Sequence, residues 1–216
     1  MARKELLEQL EKNLIGLDDT FKFQCKRCGN CCCDGREIML MPYDLYRIAK
    51  HLKLSPRNAL DRYCIPNTTS TDIRDGMLRL RLVAYPAISN YPRPACIFFN
   101  GQCSIQGSKP VVCTLYPLGR CFNPDTKEIH YSLMTFEPCI NNNEKHTVRE
   151  WLTGIDIKEF DEFTVLWDKI FHYVRGLRKF KNWEAFFEMM YLNYDITQSF
   201  LPQLQRNADE FRKRFR

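Results

Sequence analysis

The chain has 216 residues and a formal net charge of +6, and its 44% hydrophobic and 27% charged residues are ordinary for a globular protein. Its 15 Phe and 10 Tyr supply apolar material for a core, which argues against a small secreted domain held together mainly by disulfides. The charge is too small to indicate a nucleic-acid-binding protein.

The N-terminal residues 1–12 lack an apolar core and a small-residue cleavage site, so the sequence predicts no secretory signal. No stretch approaches the roughly 18 apolar residues that a membrane span requires. We therefore predict a cytoplasmic protein without membrane contacts, in a compartment where clustered cysteines usually bind metal. The odd count of 11 cysteines, three of them consecutive, argues against a disulfide framework.

The first third of the chain predicts helices on either side of a cysteine-rich loop. Leucines at helical spacing predict an amphipathic helix over 3–15, and the loop at 25–36 is expected to be irregular. A proline begins a predicted helix over 43–51. Ser55, followed by another proline, predicts a short helix over 56–63.

The middle of the chain predicts short strands. Residues 77–85 alternate apolar and basic side chains, as in a half-buried strand. Residues 96–103 predict a hairpin with an Asn-Gly turn at 100–101. A proline then begins one helical turn carrying Cys113, and 129–136 predict a further strand.

The last third predicts helices without cysteines. A capping box at 147–150 begins one helix, aromatic residues trace one helical face over 157–181, and further helices are predicted at 183–192 and after a cap at 195–198. The regular period of the aromatic stripe indicates a buried core and not a cofactor pocket.

These elements predict a mostly helical α+β fold. An irregular cysteine-rich metal-binding centre with short strands is expected to pack against a C-terminal helical layer. We predict a single domain over 1–216, made of an N-terminal helix at 1–20, a metal-binding region at 21–140 and the helical layer at 141–216.

The cysteines carry the chemical signal of this chain. Five thiols lie within nine residues, beginning with Cys25-x2-Cys28-x2-Cys31, and Gly29 provides the positive-φ residue that such a turn needs. Thiolate ligands suit zinc or iron–sulfur clusters. The triple spacing resembles the ferredoxin arrangement, which favours iron–sulfur, while zinc remains the alternative because zinc sites normally use two separated Cys-x2-Cys pairs.

The sequence Cys-x-x-Cys-Gly-x-Cys-Cys at 25–32 resembles the signature of the YkgJ-type cysteine-cluster family, described as zinc- or iron-chelating domains. Further matching segments within about 20–175 are Cys96-x6-Cys103-x9-Cys113, Tyr116–Arg120, Pro138-Cys139 and Thr147–Leu152. The resemblance implies eight metal ligands: Cys25, Cys28, Cys31, Cys32, Cys96, Cys103, Cys113 and Cys139. Flagellin lysine-N-methylases carry a related cluster, which implies one enzymatic precedent.

Other residues remain outside that pattern. Cys33 extends the run and leaves open which of 31, 32 and 33 bind metal, while Cys64 and Cys121 are expected to be small buried apolar residues. The four histidines, His51, His130, His146 and His172, lie at no ligand spacing from one another and are expected to be structural or exposed. Tyr116, Arg120 and Tyr131 flank the cysteines and are candidate substrate-side residues.

Two functional hypotheses follow. In the first, one or two 4Fe-4S clusters serve a redox or protein-modifying role, similar to lysine methyl transfer, with a redox or protein-substrate partner. In the second, a structural zinc staples a module that binds a protein or nucleic acid. No catalytic residues can be assigned, because there is no Gly-x-Gly-x-x-Gly turn and no Ser/His/Asp triad. The sequence does not decide whether the chain is an enzyme, nor its oligomeric state.

Overall fold

The computed structural model describes residues 14–25, 29–33, 37–66, 78–83, 94–134, 143–177 and 180–215. The strands are β1 (Leu14–Ile15), β2 (Thr20–Lys22), β3 (Met39–Leu40), β4 (Cys64–Pro66), β5 (Leu78–Leu80), β6 (Leu82–Val83), β7 (Ala95–Cys96), β8 (Leu118–Phe122), β9 (Ile129–Leu133) and β10 (Lys145–Thr147). The α-helices are α1 (Asn30–Cys33), α2 (Pro42–Leu52), α3 (Pro56–Tyr63), α4 (Val111–Leu115), α5 (Val148–Trp151), α6 (Ile157–Gly176), α7 (Trp183–Phe187) and α8 (Phe200–Arg214). A 3₁₀ turn spans Gln106–Ser108 and a π-helix spans Glu188–Leu192.

The chain divides into two compact units. Unit 1 comprises Met1–Cys28 and Val111–Asp161, and unit 2 comprises Gly29–Pro110 and Glu162–Arg216. Helices and short antiparallel sheets confirm the predicted α+β class with a helical C-terminal region. The predicted grouping of all residues into one domain stays a prediction. Within the described ranges, no helix combines the length and apolar character needed to cross a lipid bilayer.

Unit 1 is built on two small antiparallel sheets. One sheet has the order β1-β9-β8, and the other pairs β2 with β10. In the first sheet Arg120 lies opposite Tyr131, and Cys121 lies opposite His130. The strand predicted at 129–136 is therefore confirmed over its described core.

Helix α5 begins at the predicted capping box. Thr147 donates its backbone N–H to Glu150 Oε2 at 2.9 Å, and the Glu150 N–H donates to Thr147 Oγ1 at 3.2 Å. The two bonds satisfy backbone donors that the first helical turn would otherwise leave without partners. The backbone N–H of Thr147, and after it the Thr147 hydroxyl, lower the pKa of Glu150.

This capping box gives a pH-dependent contribution to stability. Because the pKa of Glu150 is lowered on folding, its contribution is fully present above the unfolded value of about 4.3 and is lost as pH falls through the folded value. We expect the difference in free energy of unfolding between wild type and Glu150→Ala to be constant near pH 7 and to shrink in acid. Urea unfolding followed by circular dichroism measures it. Glu150→Gln is the control, and a difference that grew below pH 4 would contradict the assignment.

Unit 2 has two small sheets and most of the helical structure. The sheets have the orders β3-β5-β4 and β6-β7, all antiparallel. Helix α2 begins with a proline, and Asp44 Oδ2 accepts the N–H of Met41 at 2.9 Å. Ser55 Oγ accepts the N–H of Asn58 at 3.2 Å and caps α3. Both predicted helices are confirmed.

Aromatic side chains fill the core of unit 2. Phe163 and Trp167 of α6 are buried, Phe163 stacks on Tyr43 of α2 with centroids 5.5 Å apart, and it also contacts Phe200 of α8 at 5.7 Å. Trp167 lies 5.9 Å from Phe186 of α7. The interpretation of the aromatic stripe as core is therefore confirmed.

Some predicted elements differ from the structure. Most of the helix predicted at 3–15 lies outside the described residues, and the prediction is wrong from Leu14, where β1 pairs with β9. The cysteine loop contains one helical turn, α1. Helix α6 ends at Gly176, short of 181, and the segment predicted as helix to 192 finishes as a π-helix.

Candidate metal centre

Six of the eight predicted ligands lie in the described part of the chain. Cys25 and Cys31 are exposed, and four others are half-buried: Cys32, Cys96, Cys103 and Cys113. Cys28 and Cys139 lie outside the described residues, and the side chain of Cys33 is likewise not described. The two exposed and four half-buried thiols all retain solvent access, as metal loading requires.

In unit 2, two of these cysteines pack against one buried pair of residues, and the backbone of a third pairs with one member of that pair. Cys32 and Cys96 both pack against the buried pair Ala95 and Phe99. Cys103 lies opposite Phe99 in an antiparallel bridge. The strand that ends at Cys96 and the turn that carries Cys32 therefore meet at the same buried pair, Ala95 and Phe99.

A tight reversal of the chain holds Phe99 in position. The Phe99 N–H donates to Cys96 O at 2.9 Å, and Ser104 N–H donates to Phe98 O at 2.9 Å. Gly101 has φ +73°, which the predicted Asn-Gly turn requires. The predicted reversal is confirmed, but Cys96 pairs with Leu82 of β6 and not with the opposite arm.

The turn over residues 29–32, here called the cysteine turn, needs a glycine at its first position for two reasons. Gly29 has φ +80°, and Cys32 N–H donates to Gly29 O at 2.8 Å. A Cβ atom at Gly29 would lie 2.7 Å from Cζ of Phe99, so the turn rests directly on the ring. Successive helical residues point about 100° apart, which agrees with an exposed Cys31 beside a half-buried Cys32.

In unit 1, aromatic packing holds the start of the cysteine run near α4. Phe23, two residues before Cys25, packs edge-on against Tyr116 at 5.9 Å and Trp151 at 5.5 Å. Trp151 Nε1 donates to Tyr116 O at 3.1 Å and to the preceding carbonyl at 3.3 Å. The end of β2 is thus fixed to the end of the helix that carries Cys113.

The cysteine thiols suit a soft metal, but the described thiols do not form a complete coordination site. Among the described residues, no group of three or more His, Cys, Asp or Glu side chains lies close enough to hold a metal ion. The chemistry of the set nevertheless suits zinc or iron, because thiolates are the ligands that both take in proteins. Metal binding would therefore have to bring the ligating thiols together.

Two cysteines outside the predicted set behave differently. Cys64 is 3% exposed, as predicted, and burial raises its pKa to about 12, partly offset by the positive charge of Arg81. It therefore remains a protonated thiol and a poor ligand. Cys121 is half-exposed on β8, so its prediction as a buried residue is wrong.

We expect Cys64→Ser to lower stability without changing metal content. The substitution buries a hydroxyl at a closed position, which costs about 1–3 kcal/mol. Thermal unfolding and metal analysis of the same preparation separate the two effects. Cys121→Ser, at a half-exposed position, is the matched control and should change neither quantity. Loss of metal from Cys64→Ser would make this residue a ligand and contradict the assignment.

The described histidines have structural or surface surroundings. His146 Nε2 lies 2.9 Å from the carbonyl of Phe23, and His172 lies 3.3 Å from Asp168 one helical turn earlier. His130 lies 3.8 Å from Glu128, and His51 is exposed. These positions are structural or exposed, as predicted for the four histidines.

The residues predicted to face a substrate are mostly internal. Arg120 Nη2 bonds to Asp161 Oδ1 at 2.6 Å, and its guanidinium lies over the ring of Phe160. Tyr131 is 2% exposed, and burial raises its pKa. The substrate role is therefore wrong for Tyr131, and Arg120 is engaged in an internal ion pair.

Phe99 was not predicted from the sequence. The one feature that could have indicated it is the pair of aromatic residues before the Asn-Gly turn, between two cysteines.

Comparison with known families decides the relationship. A family model named CxxCxxCC, described as "Putative zinc- or iron-chelating domain", matches residues 24–136. The chain belongs to the CxxCxxCC family. The matched range covers slightly more than half of the chain and includes every predicted ligand except Cys139, which follows it. Membership supports metal binding by the cysteine cluster, with zinc or iron as the metal.

Neither the curated proteins nor the solved structures contain a match to this chain. The choice between zinc and iron within the CxxCxxCC family therefore depends on the chain's own residues.

Proposed function

We propose that this CxxCxxCC protein holds one or two 4Fe-4S clusters and has a redox or protein-modifying role. The proposed ligands are the eight cysteines Cys25, Cys28, Cys31, Cys32, Cys96, Cys103, Cys113 and Cys139. The observation that carries the proposal is the Cys-x2-Cys-x2-Cys spacing at 25–31, which is typical of a cluster loop. Six of the proposed ligands lie in the described part of the chain, two in unit 1 and four in unit 2, and all six retain solvent access.

Eight thiols match the ligand number of two cubane clusters. Iron–sulfur is favoured over zinc because the first three cysteines have the Cys-x2-Cys-x2-Cys spacing of a cluster loop, whereas the later spacings differ from the second Cys-x2-Cys pair that zinc sites use. A bound cluster supplies one-electron transfer. The cysteines would hold the cluster, and the buried pair Ala95 and Phe99 packs against two of them, Cys32 and Cys96.

The proposed redox or protein-modifying role is supported by the exposure of two cysteines. Cys25 and Cys31 are exposed, so the cysteine run reaches the surface, where a redox protein or a protein substrate could approach. The lysine methyl-transfer-like role is the protein-modifying form of this proposal, and it rests on the resemblance to flagellin lysine-N-methylases alone.

Metal and acid-labile sulfide analysis of protein purified without oxygen tests the proposal. We expect iron and sulfide in equal amounts, about four or eight of each per chain, with a visible absorption that bleaches in air. Cys28→Ser and Cys113→Ser should lose metal, and Cys121→Ser should keep it. Unchanged metal stoichiometry in both ligand variants would overturn the ligand assignment.

The second candidate function is a zinc-stapled binding module. The family description favours it by naming zinc beside iron, and an all-thiolate site is an ordinary structural zinc site. In this case the colourless protein would contain zinc and no sulfide. Its partner would then be a protein or nucleic acid held by loops that the metal organises.

A further inference from the structure

We propose that unit 2 docks an acidic surface of a protein partner at a basic corner, formed by the exposed side chains of Arg175, Lys181, Lys213, Arg214 and Trp183. The inference goes beyond the proposed function, because it depends on neither the cysteines nor a bound metal. It also gives the chemistry of the partner, which presents carboxylate side chains to the cations and an apolar side chain to the indole ring.

The first step is the meeting of two helix ends within unit 2. Helix α6 ends at Gly176 and α8 ends at Arg214. The hydroxyl of Tyr173, in the last turn of α6, donates to the carbonyl of Arg212 at 3.3 Å and to the carbonyl of Phe215. These bonds join the last turn of α6 to the last turn of α8, so the basic residues of both turns lie at one corner.

The second step is the packing of the segment before α7 against the same helix end. The ring of Phe180 lies 5.6 Å from Phe211 and 5.8 Å from Phe215, measured between centroids. Trp183 packs edge-on against Phe180 at 5.0 Å. Lys181 lies between Phe180 and Trp183 in the sequence, and this packing therefore brings it to the end of α8.

The third step is the charge of the basic corner. Its four cations are exposed, and within the described part of the chain none of them forms an ion pair. Arg212 differs from them, because it is half-buried and bonds to Asp209 Oδ1 at 3.0 Å. Exposed cations that are not neutralised by nearby carboxylates create a positive potential, which steers an acidic surface toward the corner.

The exposed indole ring indicates a protein interface. Trp183 is 39% exposed and is the large hydrophobic side chain that the described part of unit 2 leaves open to solvent. Trp and Arg are the residue types that most often dominate the binding energy of protein–protein interfaces. A membrane surface is disfavoured, because one exposed apolar side chain offers little area to insert among lipids.

Acidic residues at the edge of the corner favour a protein over a nucleic acid. Glu184 follows Trp183 in the sequence, Glu210 lies one helical turn before Arg214, and both are exposed. Their carboxylates repel the continuous phosphate chain of a nucleic acid. A protein surface carries separate charges of both signs and can place a basic side chain opposite each of them.

Carbodiimide cross-linking of the full wild-type chain to a poly-glutamate peptide tests the docking surface without any substitution. The reagent joins a lysine amine to a carboxylate that lies in contact with it, and tandem mass spectrometry identifies the lysine. We expect cross-links at Lys181 and Lys213. Lys169, an exposed lysine nearer the middle of α6, should not react. Cross-links confined to other lysines would overturn the proposal.

Charge reversal measures the contribution of the corner to affinity. Fluorescence anisotropy of a labelled poly-glutamate peptide should show binding weakened about threefold to tenfold by Lys213→Glu, because an attraction becomes a repulsion. Lys169→Glu makes the same change of net charge on another exposed residue and should leave the affinity at the wild-type value. Equal weakening by both variants would show that only net charge matters and would overturn the corner. Lys213→Ala should weaken binding in the same direction, and it avoids placing an anion at the C-terminus of α8.

Changes in the probe test Trp183 and the class of partner. Replacing one glutamate of the peptide by leucine should tighten binding to wild type more than to Trp183→Ser, and an equal change would remove Trp183 from the surface. Tighter binding of an oligothymidine of equal charge, or of phosphatidylserine vesicles, would overturn the choice of a protein partner. Metal and sulfide content should match wild type in all these variants, so failure of the docking surface is distinguishable from failure of the proposed function.

Discussion

Under the proposed ligand assignment, Gly29→Ala is expected to lower the metal content and to destabilise the cysteine turn. Alanine at φ +80° costs about 1–2 kcal/mol, because Cβ approaches the backbone in the left-handed region. The same Cβ would also meet Phe99 at 2.7 Å, and forcing an extra methyl into a packed site costs a further amount of about 1–3 kcal/mol. The turn must leave the ring, and Cys32 leaves with it.

Gly101→Ala is the matched control for this prediction. Gly101 also has a positive φ of 73°, but a Cβ there would have no atom within 4 Å. Gly101→Ala should therefore lose only the stability that alanine costs at a positive φ, and its metal content should match wild type. Metal analysis and thermal unfolding of the two variants therefore separate conformational strain from the contact with Phe99.

Phe99→Leu tests the contact from the other side. The smaller side chain gives room for Cβ at position 29, so the double variant Gly29→Ala/Phe99→Leu should be less destabilised than the sum of the two single changes. In an iron–sulfur protein, Phe99→Leu alone should also shift the reduction potential, because the apolar packing against Cys32 and Cys96 changes. Strict additivity of the two changes, or equal metal loss in Gly29→Ala and Gly101→Ala, would disprove the role of Phe99.

The elements with local signals were predictable from the sequence. The cap of α3 depends on Ser55 and the residue three positions later, and the capping box of α5 is contained within 147–150. The aromatic face of α6 repeats with the helical period and is buried accordingly. In each case the residues that determine the local structure lie within one or a few helical turns of that structure, so the sequence pattern predicts it.

The features that depend on distant partners were not predictable. Leu14 continues a helical pattern of leucines, but it forms a strand because β9 offers a hydrogen-bonding edge. The cysteine spacing predicts metal ligands. Which cysteines lie near one another depends instead on which strand and which turn pack at Phe99. Nothing near residue 99 in the sequence indicates that its ring touches Gly29. Ligand type was therefore predictable, and the arrangement of the ligands was not.

Asn207→Ala is expected to lower the free energy of unfolding by about 3 kcal/mol, because it leaves buried carbonyl groups without donors. Asn207 is fully buried, and its Nδ2 donates to Met189 O and Asn193 O, both at 2.9 Å. The π-helix creates the need for these bonds. The N–H groups that would serve Met189 O, those of Asn193 and Tyr194, bond instead to the carbonyls of Glu188 and Leu192.

Asn193→Ala is the matched control, since it removes only one donor to Asn207 Oδ1, at 3.0 Å, and should cost about 1 kcal/mol. Urea unfolding of both variants gives the two free energies. Because the hydrogen bonds described for Asn207 lie at the π-helix and the segment that follows it, metal content should match wild type in both variants under native conditions. Equal destabilisation by the two substitutions would show that the π-helix carbonyls find other donors. Loss of metal from Asn207→Ala would instead show that the helical core and the cysteine turn unfold as one cooperative element.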